Sequence, residues 1–227
     1  MTGTVTAKVI LEAQIRKAYI ALTLKRPITR ITVGLVSEIA DQTGIDIKLA
    51  EDTLCRLYPH GSINAFMSEY FEMAFKGREE ATDFERATVE ICSVVFGFES
   101  KHIGSIGLTP DVWIMSHSSG YSGIIDNKAY SKYTISNDHR NRMIHNYVKA
   151  YACKELPLAF FCYIAGGFGG NINAQIRDIA SETGVKGSAI SVTDFISMIE
   201  KHGNQPYNHD DIRRIFSVDR QILLADL

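Results

Sequence analysis

The sequence lacks several features that would assign the protein to a class at once. No apolar run approaches the ~20 residues that a membrane-spanning helix requires, and the first ten residues, MTGTVTAKVI, have no signal-peptide layout. We therefore expect a cytoplasmic location and no membrane partner. The cysteines are scattered and form no C-x-x-C pair, which argues against zinc and disulfides and favours buried free thiols. They are Cys55, Cys92, Cys153 and Cys162.

An excess of basic residues is also missing. The chain has 24 Lys and Arg against 26 Asp and Glu, with a net charge of −2 and a pI near 6.4. A protein that binds DNA strongly by itself usually carries a clearly basic surface. If the substrate is nucleic acid, a separate partner must therefore supply most of the affinity. The 227 residues can bury one sizeable core with a small appendage.

The amino-terminal part of the chain is helical in pattern. Apolar spacing and breakers predict helices over 8–24 (before Pro27), 33–43 and 48–57. Ala40 and Gly44 have the spacing of helix-turn-helix units. The would-be recognition helix carries Glu51 and Asp52 but one lysine, which is a poor face for a DNA groove. We therefore prefer a helical adaptor over residues 1–50, with a helix-turn-helix as the alternative.

Helices and strands are interspersed through the remainder, which predicts an α/β domain over 51–227. Strands are predicted at 111–115, 121–126, 158–165 and 188–191, and helices at 62–76, 83–96, 137–151, 173–182, 191–202 and 209–216. The polar helix at 137–151 is interpreted as a solvent-facing one. Residues 166–170, GGFGG, superficially resemble a phosphate-binding loop, but no G-K-[ST] follows, so a nucleotide P-loop is not expected.

Two neighbouring strands carry the candidate chemistry. The runs DVWIM (111–115) and YSGIID (121–126) flank SHSSG, a polar connector that predicts a β-hairpin. Asp126 and Lys128 are two residues apart, so on a strand they share a face. If Asp111 converges with them, two carboxylates can hold a hard cation such as Mg²⁺. The lysine would then orient the attacking water, which is the equipment for hydrolysing a phosphodiester.

This pattern alone leaves alternatives open. Asp-x-Lys is common, and a polar hairpin with Asp111 in a turn and Lys128 in solvent fits it equally. However, charged side chains on strands rich in Ile, Val and Trp conflict with burial unless they bind something. Glu90, just off the apolar stripe of the helix at 83–96, could reach the metal site as an acid behind the metal ligands or could face solvent.

A series of short motifs extends the pattern over roughly residues 50–218. In order they are YPH (58–60), FGF (96–98), KHIG (101–104), PD (110–111), IDNKAYS (125–131), GNINAQI (170–176), ISV (190–192) and IRRIF (212–216). In these motifs and their order, the chain resembles the FokI-type cleavage domain of type IIS restriction endonucleases, within the PD-(D/E)xK nuclease superfamily. The resemblance implies an α/β fold with a central mixed sheet flanked by helices.

The resemblance also implies roles for individual residues. Asp111 and Asp126 would be metal ligands, the backbone carbonyl of Asn127 a further ligand, and Lys128 the catalytic lysine. The metal would be Mg²⁺, with Mn²⁺ able to substitute. Lys101 and His102 lie where the family could meet DNA.

The function expected from the resemblance is a metal-dependent endodeoxyribonuclease that acts as a cleavage subunit or excised domain. Its expected partners are double-stranded DNA, a DNA-recognition subunit or domain, and a second nuclease domain in a transient homo- or heterodimer. No large recognition domain fits within residues 1–50. Two other hypotheses stay open at this point: a DNA-binding or assembly module on an idle nuclease fold, and a repair or junction nuclease of the same superfamily.

Overall fold

The computed structural model describes residues 2–25, 31–57, 63–104 and 107–227. Two compact units make up the chain, Met1–Glu69 and Tyr70–Leu227. The boundary expected at residues 50/51 stays a prediction. Pro27 and the YPH motif at 58–60 lie outside the described residues.

The amino-terminal unit is built from helices at the predicted places. They are α1 (Thr2–Lys25), α2 (Val33–Thr43), α3 (Ile47–Leu57) and the first part of α4 (Ile63–Met73). Thr32 caps α2, accepting the backbone N–H of Leu35. Gly44 ends α2 with a left-handed φ of 68°, and its N–H donates to the carbonyl of Ala40 at 2.8 Å. The α2–α3 turn therefore has the predicted glycine stop.

The second unit is organised around a six-stranded mixed sheet, as the resemblance predicted. In spatial order it contains β1 (Glu99–His102), β2 (Val112–Ser116), β3 (Tyr121–Lys128), β4 (Leu158–Ala165), β5 (Lys186–Ser191) and β6 (Arg220–Ile222). The first three strands are antiparallel to one another, and β3 to β6 are parallel. The edge strands β1 and β6 were not predicted, because they are short and lack an apolar alternation.

Helices cover both faces of this sheet. They are α5 (Ala81–Glu90), α6 (Asn137–Asn141), α7 (Lys149–Tyr151), α8 (Ile172–Thr183), α9 (Val192–Asn204) and α10 (His209–Phe216), with 3₁₀ turns at Gly77–Glu79 and Leu224–Asp226. A π-helical stretch, Ile91–Val95, continues α5, and another, Arg142–Val148, joins α6 to α7. Most bounds fall within a few residues of those predicted from the sequence.

The two faces of the sheet have separate cores. Trp113 and Ile124 face the segment from α6 to α7 and helix α8. On the other face the ring of Phe160 stacks on Phe216 of α10 at 5.1 Å, and α5 and α9 pack nearby. The interpretation of 137–151 as a solvent-facing helix was incomplete, because one side of it is core. The buried residues there are Met143, Ile144, Tyr147, Val148 and Tyr151.

Two expectations from composition can be compared with the structure. Cys92 and Cys162 are buried free thiols as expected, whereas Cys55 and Cys153 are free but exposed, so burial was wrongly predicted for these two. Among the described residues, every helix is too short or too polar to cross a membrane.

Candidate active site

The β2–β3 hairpin brings the two predicted carboxylates together. Val112 pairs with Ile125 and Trp113 with Ile124, so the same antiparallel register, extended by one residue, sets Asp111 opposite Asp126. The backbone N–H of Asn127 donates to Asp111 Oδ2 at 2.6 Å. The pair lies at the open end of the hairpin, where the parallel strand β3 ends, which is the edge at which open α/β sheets bind ligands.

Lys128 joins this pair through the predicted alternation. Its Nζ lies 2.7 Å from Asp126 Oδ2, and the two side chains are only 15% and 4% exposed. The other carboxylate oxygen, Asp126 Oδ1, is buried and has no hydrogen-bond partner among the residues that the structure describes. A buried anionic oxygen without a donor is costly unless a cation meets it. The site therefore contains an oxygen that is suited to a metal ion.

The charges of this cluster shift one another's pKa values. Burial, followed by the charge of Asp126, raises the pKa of Asp111 well above its ordinary value, although Lys128 opposes the shift. Burial alone would lower the pKa of Lys128, but the charges of Asp126 and Asp111 outweigh it and raise that pKa. Lys128 is therefore an ammonium, and one positive charge faces two carboxyl groups.

The middle residue of the Asp-x-Lys motif points away from this cluster. Asn127 Nδ2 donates to Thr88 Oγ1 at 2.7 Å, and Thr88 also bonds to the hydroxyl of Tyr70 at 2.9 Å. These contacts tie β3 to helix α5. Only the backbone carbonyl of Asn127, and not its side chain, is then a candidate metal ligand.

A third acid that the sequence interpretation missed lies beside Asp111. A Cβ placed on Gly104 would sit 2.9 Å from Asp111 Oδ1 and 3.0 Å from Glu85 Oε2, so both carboxylates reach the same glycine. Glu85 also contacts His102 Nε2 at 2.7 Å. Glu90, the acid named from sequence, follows Glu85 by five residues and points about 140° away around the helix; its role stays a prediction.

Three buried tyrosines lie close enough to the carboxylates to be affected by their charge. Tyr133, Tyr147 and Tyr163 are buried, and burial followed by the negative charge of Asp126 raises the pKa of each hydroxyl. The hydroxyl of Tyr133 bonds to His139 Nδ1 at 2.8 Å. No signal in the sequence marked these residues, because their proximity depends on how the segment from α6 to α7 docks on the sheet.

Comparison with known proteins identifies the family of this chain. The sequence model of the family described as "FokI, cleavage domain" matches residues 44–223. The chain belongs to this family. It is also 25% identical over 169 residues to the Type II restriction enzyme FokI of Planomicrobium okeanokoites.

The match to that FokI enzyme covers 66% of this chain and 29% of the enzyme, so the chain spans less than a third of the relative. Two solved structures of restriction endonuclease FokI share its fold at 18% identity. The one without a stated ligand superposes with a TM-score of 0.64 over 93% of this chain and 47% of that chain. The one bound to DNA gives 0.60 over 92% and 47%.

The candidate site offers only a few ligands to a metal ion. Among the described residues, no group of three or more His, Cys, Asp and Glu side chains could hold one. The candidate ligands are two carboxylates and one backbone carbonyl, which is a small set. Such a set suits Mg²⁺, because this cation keeps several waters and binds through one or two carboxylates.

The two residues suggested for DNA contact differ in their surroundings. Lys101 is exposed, pairs with Glu99 at 3.0 Å and lies 5.1 Å from the ring of Trp113. His102 is largely buried against Glu85. Their role in binding DNA therefore stays a prediction, and the structure favours an interior partner for His102 over a surface one.

Proposed function

We propose that this chain is a metal-dependent endodeoxyribonuclease, the cleavage module of a type IIS restriction enzyme. Asp111, Asp126 and the backbone carbonyl of Asn127 would hold Mg²⁺ or Mn²⁺, and Lys128 would be the catalytic lysine. The observation that carries the proposal is the buried Asp126 Oδ1, which has no hydrogen-bond partner among the described residues and lies opposite Asp111, a partly buried carboxyl. Membership of the FokI cleavage-domain family supports the same reading.

The protein groups have distinct tasks in this proposal. A divalent cation bound there would neutralise charge on the scissile phosphate and lower the pKa of a water. Asp111 and Asp126 supply anionic oxygens in fixed positions, because the hairpin register and the Asn127 N–H orient them. Lys128, held as an ammonium by its neighbours, donates hydrogen bonds, so it orients the attacking water and stabilises negative charge on the phosphate.

The charge balance supports a separate source of targeting. Few basic residues mean that few phosphates are neutralised, so we expect weak binding without sequence preference. One site serves one strand at a time. A double-strand break would therefore need a second nuclease domain, either another copy of this chain or one in a recognition partner.

The test uses a supercoiled plasmid and an isothermal titration of metal into the same protein. We expect nicking with Mg²⁺ or Mn²⁺, none in EDTA, and little with Ca²⁺, whose looser coordination positions water poorly. Metal binding should disappear in Asp126→Asn. Full cleavage in EDTA would contradict the metal assignment, and cleavage confined to branched DNA would favour a junction nuclease instead.

A further inference from the structure

The tyrosines around the site differ in how much of each side chain is exposed to solvent. Tyr133 and Tyr163 are 4% and 0% exposed, whereas Tyr130 is 50% exposed. The three rings follow one another: Tyr130 stacks on Tyr133 with centroids 6.1 Å apart and planes 19° apart, and Tyr133 meets Tyr163 at 5.8 Å. Tyr163 is the partner of Asp126 in the β3–β4 register. The series thus leads from the neighbour of a proposed metal ligand out to solvent.

The exposed ring is held by a rigid backbone. The Tyr130 N–H donates to the carbonyl of Lys128 at 2.7 Å, and its own carbonyl accepts the N–H of Gly167 at 3.2 Å. A Cβ at Gly167 would lie 2.5 Å from the carbonyl oxygen of Ser131. Glycine is therefore needed for the GGFGG loop to reach this segment, and the loop serves to clamp the chain that leaves β3.

An ordinary surface tyrosine does not need such support. Tyr130 follows Lys128 by two residues, and its ring is the outer member of the series that begins beside Asp126. A DNA strand bound at the proposed catalytic site would therefore pass close to the exposed part of this ring. A preorganised ring binds with little loss of side-chain entropy. A contact to the sugar of the DNA backbone carries no base information, which fits a cleavage domain with little sequence preference.

We propose that Tyr130 is a substrate-binding residue whose exposed ring packs against the deoxyribose next to the scissile phosphate of duplex DNA. This inference rests on the proposed function. The contact forms when DNA binds and stays the same during cleavage, so it strengthens binding of the backbone beside Lys128 and Asp126 without changing the maximal rate. The ring face makes the contact, and the hydroxyl is not required.

The test compares Tyr130→Ala, Tyr130→Phe and a matched control, Leu224→Ala, in nicking of supercoiled plasmid over a range of DNA concentrations with Mg²⁺. Leu224 is another exposed apolar residue, 65% exposed, just beyond β6, three strands from β3. We expect Tyr130→Ala to raise the half-saturating DNA concentration about tenfold, with the maximal rate within about twofold. Tyr130→Phe and Leu224→Ala should behave like the wild type.

The outcomes separate this inference from the function on which it rests. Equal half-saturation in Tyr130→Ala and the wild type would overturn the inference alone, as would a loss of maximal rate shared by Tyr130→Phe. A drop in thermal midpoint that tracks the loss of activity would point to a structural role and likewise overturn it. A wild-type chain that neither binds nor nicks DNA contradicts the proposed function itself.

Discussion

The two ends of the β2–β3 hairpin hold buried polar clusters of opposite character. At the turn end, Ser116 Oγ lies 2.7 Å from His209 Nδ1, and His209 Nε2 lies 2.8 Å from the carbonyl of Phe96. A carbonyl only accepts, so Nε2 carries a proton; in the neutral imidazole Nδ1 is then the acceptor of the Ser116 hydroxyl. The hydroxyl of Tyr121 donates to the carbonyl of His209 at 2.6 Å. Every group in these three contacts has a partner.

At the open end of the same hairpin, by contrast, the hydrogen-bonding capacity of the carboxylates is not fully used. Within the described part of the chain Asp126 Oδ1 has no hydrogen-bond partner, and the pKa of Asp111 is raised by burial and by the neighbouring carboxylate. Satisfied buried networks stabilise a fold, whereas unsatisfied ones cost stability and persist where they have another use. The difference agrees with a division in which the turn end holds the hairpin in place and the open end carries the proposed catalytic site.

The largest expected effect is on the nicking rate, which should depend on the open end of the hairpin and not on the turn end. Lys128→Ala should lower the nicking rate at least about 100-fold, because it removes a preorganised donor from the site. Ser116→Ala, a truncation at the other end of the hairpin, should leave the rate per folded molecule unchanged. Plasmid nicking under single-turnover conditions measures both. Near-normal turnover in Lys128→Ala would mean that the catalytic site lies elsewhere.

The next effect in size concerns the turn end. His209→Ala removes the acceptor of Ser116 and the donor to Phe96, and it also removes a ring stacked 4.0 Å from that of Phe98. We expect a loss of about 2–3 kcal/mol in the free energy of unfolding, measured by urea denaturation. His117→Ala is the matched control, because His117 is exposed and should matter by less than about 0.5 kcal/mol. Equal losses in both variants would show that the network is not stabilising.

At the open end of the hairpin, removing a charge should raise the free energy of unfolding rather than lower it. Because the folded-state pKa of Asp111 is raised, the ionised carboxylate costs stability above that pKa, and the cost disappears below the unfolded value of about 4. Asp111→Asn should therefore stabilise the metal-free protein at neutral pH by about 1 kcal/mol. The gain should vanish as the pH falls towards 4. Urea denaturation in EDTA between pH 7 and pH 4 measures this gain. If Asp111→Asn is less stable than the wild type at pH 7, the ionised Asp111 carboxylate does not cost stability.

Sequence reasoning reached the parts of the site that depend on local periodicity. Strand alternation placed Asp126 and Lys128 on one face, and the hairpin brought Asp111 opposite. These relations follow from a two-residue repeat and one turn, so they need no knowledge of the remaining packing.

The residues that were missed depend on long-range docking. Glu85 reaches Asp111 only because of the rotation of α5 against the sheet, which an amphipathic stripe does not specify closely enough to choose it over Glu90. Tyr147 lies in a π-helical stretch, where an i→i+5 bond shifts the facing residues away from the 3.6-residue period. The backbone of Tyr130 is held by Gly167, which is 37 residues away in sequence.

The smallest expected effect comes from Asp226, a carboxylate whose pKa is shifted in the opposite direction from that of Asp111. Arg220 donates two hydrogen bonds to Asp226, at 2.7 and 2.6 Å, and these lower the pKa of Asp226 to about 2. A lowered folded-state pKa contributes stability above the unfolded value near 4, and this stability is lost as the pH falls towards 2. Asp226→Asn should cost at most about 1 kcal/mol at pH 7, because the pair is partly exposed, and the cost should shrink in acid and in high salt. Urea melts at pH 7 should show opposite signs for Asp226→Asn and Asp111→Asn, and melts at pH 3 should show both effects reduced. The same sign for the two variants at pH 7 would remove the distinction between a carboxylate whose pKa is lowered by an arginine and one whose pKa is raised by burial.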